Sequence, residues 1–480
     1  MNRKLILRIL SRAALAEAAL LLISAVVGLL HGDAVLIPFG VPILLLLLVF
    51  LALGRVKPQS KDFFAREGFV SVALAWGFMS LFGALPFCLS GAIPSFLDSV
   101  FETVSGFTTT GASLLGDVEL MPKGLLFWRS FTHWIGGMGV LVFLLALTAL
   151  AGDRSIYLMR AESPGPSVGK LTPRLRASAG ILYLIYLAMT VLLIALLLLG
   201  GMEPFDSVTN AFSIAGTGGF AVRNGGIAAY HSAYIENVMT LFMILFGTNF
   251  TLYYFVLAKK PLEALANEEL RWYLGIFAAA TLAVTISILP GCAGVLEALR
   301  LAAFQNASMM STTGFATADF NLWPVFSHMF LLLLMFVGAS AGSTGGGFKV
   351  SRVALLLKSI RRELSRTLHP RSVGRINFDG KTVETETSHG VLVYLSVYVL
   401  IATTGVLLVS LNGYDHVTTF SAVMATFNNI GPGLGLVGPM ENFSVFSPFS
   451  KIVLSALMLL GRLEIYPILM VCSPSVWRRK

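Results

Sequence analysis

Thr109-Thr110-Gly111-Ala112 lies between two long apolar runs, behind an amphipathic stretch rich in Ser and Thr. Segments of the same kind return at Thr217-Gly218-Gly219-Phe220, Thr312-Thr313-Gly314-Phe315 and Asn429-Ile430-Gly431-Pro432. Taken singly, each reads first as a helix C-cap or a turn. Four of them, each between the same kind of apolar runs, point elsewhere. Non-helical backbone at membrane depth is tolerated only where it is buried in protein or lines a watery cavity, because its N–H and C=O groups find no partner in lipid. The recurrence therefore predicts four walls of one pore, with backbone carbonyls replacing the water around a desolvated cation. Glycine suits the turn because a strand whose carbonyls face one axis passes through conformations that a Cβ disfavours.

Working outward, the 480 residues are 56% hydrophobic and 12% charged, with a mean hydropathy of +0.80. That composition excludes a soluble globular domain. Ten apolar runs, near 8-30, 36-54, 67-90, 124-150, 177-201, 233-258, 271-290, 325-357, 389-411 and 449-472, are long enough to cross roughly 30 Å of hydrocarbon as helices. The first, with Arg3, Lys4, Arg8 and Arg12 before it, has the look of a signal peptide. A second run follows at once with no clear small-residue cleavage site, so both are read as retained helices. Cys88, Cys292 and Cys472 lie in or beside different runs, and an odd count so placed argues for buried small hydrophobes over disulfides. The spacing of cysteines and histidines offers no metal-ligand pattern.

The net charge of +9 reports topology. Of the 34 Lys and Arg, 28 fall in the two termini and in every second connection. This is the positive-inside pattern of a multi-pass protein with both termini in the cytoplasm. No basic patch interleaved with aromatics suggests nucleic acid. Two crossings separate consecutive Gly segments, so all four lie on the same side, and the units are parallel where many secondary transporters have inverted ones. The predicted fold is an all-α polytopic membrane protein: four parallel helix–pore-loop–helix repeats around one pseudo-fourfold pore, plus two extra N-terminal helices. The accessory pair occupies 1-60 and the repeats 61-151, 176-258, 268-358 and 387-472. The basic stretch 351-387 is the largest cytoplasmic connection, a surface for a cytosolic partner or for anionic lipid headgroups. Phe101-Glu102-Thr103-Val104 and Phe205-Asp206-Ser207-Val208 look alike, and their acid and hydroxyl residues suit helix starts.

Two further features bear on conduction. Gly338-Ala339-Ser340-Ala341-Gly342-Ser343-Thr344-Gly345-Gly346-Gly347-Phe348-Lys349 interrupts the run 325-357. Each glycine costs a helix roughly 1 kcal/mol relative to Ala, so this segment unwinds beneath the third Gly segment and can obstruct it. A small-residue packing face and a phosphate-binding nest are the other readings of that composition. Arg462 stands inside the last run, where a charge costs roughly 2.5–3.5 kcal/mol near the bilayer centre and faces a cavity or partner, or snorkels to the surface. The favoured reading has it below the Gly segments, bonding carbonyls of the Gly-rich loop and opposing cations. Phe127-Trp128-Arg129-Ser130-Phe131-Thr132-His133-Trp134-Ile135-Gly136-Gly137-Met138-Gly139 opens a helix whose aromatics suit the outer interface and whose glycines allow close packing; His133 is read as a hydrogen-bonded packing residue.

Four of these motifs, in order, resemble the TrkH/KtrB superfamily of bacterial K⁺ transport subunits over nearly the whole chain. They are Ser105-Gly106-Phe107-Thr108-Thr109-Thr110-Gly111-Ala112, Trp134-Ile135-Gly136-Gly137-Met138-Gly139, Gly342-Ser343-Thr344-Gly345-Gly346-Gly347-Phe348-Lys349 and Gly461-Arg462-Leu463-Glu464. The length and the extra helices look more like TrkH than the shorter KtrB. The resemblance implies K⁺ uptake across the bacterial inner membrane and a selectivity filter formed by Thr109, Thr110, Gly111, Thr217, Gly218, Gly219, Thr312, Thr313, Gly314, Asn429, Ile430 and Gly431. K⁺ would meet the carbonyls of Thr110, Gly218, Thr313 and Ile430. It also implies a gate made by Gly342, Ser343, Thr344, Gly345, Gly346, Gly347, Lys349 and Arg462. Two chains would form a homodimer above a cytosolic, TrkA-like nucleotide-binding ring, with no cofactor in this chain and K⁺ as the transported ion. A K⁺/H⁺ or K⁺/Na⁺ symporter is the alternative, with Glu464 and Glu17 the nearest acids for coupling. A membrane enzyme is not expected, since no nucleophile, base or metal set converges.

Overall fold

The computed structural model describes residues 1–56, 65–139, 175–370 and 374–477. The chain starts with α1 (Arg3–Leu30), capped by the Asn2 side chain, and α2 (Val41–Gly54). Four units of one element order follow: a long apolar helix, a shorter helix, a Gly-bearing turn, and a second helix. Unit one is α3 (Ala65–Gly83), α4 (Phe96–Phe107) and α5 (Lys123–Met138). Unit two is α6 (Leu175–Leu199), α7 (Pro204–Ala215), then α8 (Ala233–Phe246) and α9 (Phe250–Leu257). Unit three is α10 (Glu268–Ile288), α11 (Val295–Met310), α12 (Val325–Val337) and α13 (Val350–Leu368). Unit four is α14 (Thr385–Val409), α15 (His416–Phe427), α16 (Pro448–Arg462) and α17 (Tyr466–Cys472). A two-stranded hairpin, β1 (Asn377–Phe378) with β2 (Lys381–Thr382), is the one sheet among the described residues. The end of the run 124-150, the boundary near residue 151 and the basic residues Lys57, Lys61, Arg154, Arg160, Lys170, Arg174, Arg371, Arg478, Arg479 and Lys480 lie outside the described residues.

Six described helices are long and apolar enough to cross a membrane, and α8 with α9 makes a seventh candidate bent by 94°. Many of their large apolar side chains are exposed, as on Leu22, Leu48, Leu192, Leu282 and Leu400, while the four short helices are buried along most of their length. Apolar surface turned outward and polar-bearing helices turned inward invert the soluble pattern, as lipid demands.

The second helices of units two, three and four each break and resume, and that of unit one ends at the edge of the described residues. α5 stops at Met138, where Gly139 has φ +79. Gly247-Thr248-Asn249 separates α8 from α9, with the Asn249 side chain capping the latter. The Gly-rich loop separates α12 from α13, and Leu463-Glu464-Ile465, with φ +55 and +68 at the last two, separates α16 from α17. The sequence indicates only the third of these; 233-258 and 449-472 are not continuous helices.

Three expectations change. Phe101–Val104 is not a helix start: α4 begins at Phe96 and is capped by Ser95, whose side chain accepts from the Asp98 amide. The structural counterpart of Asp206-Ser207 is Asp98-Ser99, each acid lying thirteen residues before its glycine. The cysteines are free but not buried, Cys88 and Cys292 being half-buried and Cys472 exposed. Trp128 and Phe131 belong to the interior, Trp128 donating its indole N–H to the Gly83 carbonyl at 3.0 Å.

Candidate functional site: a ring of glycines and the loop beneath it

Each short helix ends in the same turn. The amide of Thr110 reaches back to the Ser105 carbonyl and that of Thr109 to Gly106; the pairs recur as Gly218 to Ser213 with Thr217 to Ile214, Thr313 to Ser308 with Thr312 to Met309, and Ile430 to Ala425 with Asn429 to Thr426. This is the two-bond helix end that needs a left-handed residue after the cap. That residue is Thr109 (φ +54), Thr217 (+57), Thr312 (+61) or Asn429 (+56), and the glycine two positions on is again at positive φ, from +74 to +99. Three threonines in that region store roughly 1–2 kcal/mol of strain each. The turn is thus both a C-cap and a launch for the strand beyond it.

The four turns meet in cyclic order. A Cβ at Gly111 would overlap the carbonyl oxygen of Gly218, one at Gly219 that of Thr313, and one at Gly314 that of Ile430. One at Gly431 would stand 2.7 Å from the oxygen of Thr110, returning to the first unit. The carbonyls of Thr110, Gly218, Thr313 and Ile430 therefore each lie against the next unit's glycine. The side chains of Thr109, Thr110, Thr217, Thr312, Thr313 and Asn429 are fully buried behind them. Asn429 donates to Thr110 Oγ1 at 3.0 Å and to the Met458 carbonyl at 2.9 Å, which ties units four and one together and accounts for an amide where the other units have Thr.

The strands beyond the glycines are held by different side chains. Ser213 donates to the Phe220 carbonyl (2.9 Å) and Ser308 to that of Phe315 (2.6 Å). In unit four Ser421 bonds both the amide and the carbonyl of Leu434. Gly111, Gly219, Gly314 and Gly431 line the base of a cavity of about 170 Å³. Arg129, Arg223, Asn224 and Glu441 stand on its walls. Asn224 bridges units two and one by donating to Asp117 at 2.7 Å and accepting from the Val118 amide. That amide bond holds the exposed Asp117 carboxyl below the usual carboxylate range.

On the other side of the ring, the breaks of the second helices converge. Gly345 and Gly346 of the loop pack against the carbonyls of Ser311 and Asn428, where no side chain would fit, and the Gly346 amide donates to Thr312 Oγ1 at 2.6 Å. Thr344 Oγ1 donates to the Phe246 carbonyl, and the Ser340 amide to that of Gly247, joining the loop to the break in unit two. Lys349 turns back on its own loop to the Gly345 carbonyl, while the Glu269 carboxylate accepts from the Ala341 amide at 2.7 Å and the Ser351 amide at 3.2 Å. Gly342 (φ +72) and Gly347 (φ +79) take the turns, and the hydroxyl of Ser343 closes a bond to Ser340 O. Arg462 donates to Thr344 O at 2.7 Å and to the carbonyls of Gly136 and Gly137 in the last turn of α5. Carbonyls in a helix's last turn carry the negative end of its dipole and suit a cation. Glu464 faces away and pairs with Arg352.

The expected positions of the four Gly segments, the loop and Arg462 are thus all in one column. Sequence reasoning missed Glu102, Arg129, Glu269 and the serines 213, 308 and 421. His133 stacks on Phe220 at 4.1 Å and packs against Gly218. Among the described residues no three His, Cys, Asp or Glu side chains gather as a metal site; the polar groups of the column are carbonyls, the donor class that suits a desolvated alkali cation.

A column of carbonyl-lined turns within a bundle of lipid-facing helices defines the class as a polytopic membrane protein. Residues 43–289 and 291–478 match the family model TrkH, described as a cation transport protein. The chain is 34% identical to the Trk system potassium uptake protein TrkH of Escherichia coli K12 with the whole of both chains covered, and 35% identical to that of Salmonella typhimurium over 90% of this chain and 91% of its relative. It is 30% identical to Trk system potassium uptake protein TrkI of Halomonas elongata, covering 99% and 97%. The crystal structure of the potassium transporter TrkH from Vibrio parahaemolyticus superposes with a TM-score of 0.89 at 32% identity, covering all of both chains. The chain belongs to the TrkH family of cation transport proteins, and it is not an enzyme.

Proposed function

We propose that this protein takes up K⁺ across a bacterial inner membrane through a selective pore, with both termini in the cytoplasm. The observation that carries this reading is the cyclic contact of Gly111, Gly219, Gly314 and Gly431 with the carbonyls of Gly218, Thr313, Ile430 and Thr110. Four turns of one geometry, closed on themselves, make a pseudo-fourfold carbonyl ring of the kind that strips a cation of water. The relatives' names supply the ion.

The gate is the loop 342–347 with Lys349 and Arg462. Its support is position: the loop lies against the carbonyls of Ser311 and Asn428 behind the ring, and a guanidinium bonded to units one and three puts positive charge on the same column. The exposed basic end of α13 and the hairpin after it form the docking face for a cytosolic nucleotide-binding ring and for anionic lipid, in keeping with relatives named as members of a Trk system. Two chains associate as a homodimer.

The test is Rb⁺-tracer uptake into proteoliposomes holding the purified chain, competed by K⁺ and Na⁺, with and without a proton gradient. Competition by K⁺ and not Na⁺, indifferent to the gradient, is expected. Uptake that requires the gradient would replace the pore by a symporter.

A further inference from the structure

We propose that Glu102 and Arg129 are positioning residues for the filter: a buried ion pair that pins its outer mouth across units one and two and sets both cation affinity and preference. The inference rests on reading the glycine ring as that filter. Glu102 is 1% and Arg129 3% exposed, yet Arg129 reaches the wall of the cavity above the ring. Arg129 Nε donates to Glu102 Oε1 at 2.7 Å. The same carboxylate accepts from Ser113 Oγ at 2.9 Å and from the Leu114 amide at 3.0 Å, so it grips the strand that leaves Gly111. Arg129 Nη1 donates to the Ala221 carbonyl at 3.0 Å, and its guanidinium lies 3.5 Å over the Phe220 ring. It thereby grips the strand that leaves Gly219.

The position is occupied differently in each unit. Nine residues before the glycine stand Glu102, Asn210, Gln305 and Ala422. Units two and three hold their strands through Ser213 and Ser308, whereas the hydroxyl of Ser105, at the matching place in unit one, makes no such bond. The carboxylate replaces it. Its charge has a second consequence. A guanidinium on the wall of a cation's path repels the cation, and in a water-poor site that repulsion is weakly screened. Glu102 cancels it at contact distance while the fork geometry of Arg129 fixes two strands at once.

The two effects separate experimentally. Glu102→Gln should lower the apparent K⁺ affinity of Rb⁺ uptake about tenfold, because one partner of a buried pair is left uncompensated, and should lower K⁺ preference over Na⁺. Arg129→Lys keeps the charge and loses the fork; it should keep affinity and lose preference. The double variant Glu102→Gln with Arg129→Gln should regain affinity and not preference. All are compared at equal insertion and equal elution on size exclusion, with Gly314→Ser as the filter control. Should Glu102→Gln fail to insert, Arg129→Lys and the double variant carry the test. Wild-type affinity and preference in the inserted variants, with Gly314→Ser defective, overturns this proposal alone. If Gly314→Ser also behaves as wild type, the filter reading falls with it.

Discussion

At Gly314 two constraints coincide: φ is +83, and the space a Cβ would fill holds the Ile430 carbonyl. Substitution to Ala must either push that carbonyl out of the ring or straighten the turn. A strain of roughly 1–2 kcal/mol at such a φ corresponds to about tenfold in an equilibrium, so Gly314→Ala should reduce K⁺ over Na⁺ preference in tracer competition by about that factor. Gly380, in the hairpin turn, also has positive φ (+71) but open space around it, and Gly380→Ala should leave the preference unchanged. An equal effect at both would attribute the change to backbone strain and not to the ring. The glycines were legible because their type and recurrence are local. Glu102 was not. Its likeness to Asp206 in a four-residue match hides that it lies nine residues before its glycine where Asp206 lies thirteen, so a helix-start reading placed a clamp as a cap.

At the scale of elements, the interruption of three second helices, together with the end of α5, organises the region beneath the ring. The Gly-rich loop is visible in sequence because five glycines in twelve residues cannot stay helical. The breaks at 247–249 and 463–465 each consume three residues within apolar runs, too few to end the run; Gly247 and Asn249 mark the first and Glu464 and Pro467 the second. Their convergence makes the loop a shared part, held by α10 through Glu269, by α8 through Phe246 and Gly247, and by α16 through Arg462. Removing one of these ties should loosen it. Arg462→Ala and Glu269→Gln are each expected to raise basal Rb⁺ uptake of the purified chain several-fold, the first by removing a charge from the path and the second by removing the negative charge from the one oxygen to which Ala341 and Ser351 both donate, which weakens both bonds. Wild-type basal uptake in both, at normal expression, would place the gate elsewhere.

For the whole molecule, apolar runs carry the element order and alternating charge the expected sidedness, but the cyclic order of the units rests on contacts between residues far apart in the chain, the closing one from Gly431 to Thr110, and leaves no trace in composition. A long-range tie joins the hairpin to the loop beneath the ring. The Asp379 carboxylate in the hairpin turn accepts from the Glu268 amide at 2.6 Å and from Asn267 at 2.9 Å, capping the helix whose next residue, Glu269, holds the loop. On the proposed orientation, with both termini in the cytoplasm, the hairpin lies on the cytoplasmic side and the cavity above the glycines on the other. With Cys88, Cys292 and Cys472 unpaired, their replacement by Ala breaks no disulfide and gives a background for single reporters. Lys381→Cys on the hairpin and Glu441→Cys at the cavity rim are both exposed positions. A membrane-impermeant maleimide added to intact cells should label the Glu441→Cys chain, and should label the Lys381→Cys chain only after permeabilisation. Equal labelling of both in intact cells would put the hairpin outside and break the link from cytosolic partner to loop, since no partner in the cytoplasm could then reach Asp379 and, through the start of α10, the carboxylate that holds Ala341 and Ser351.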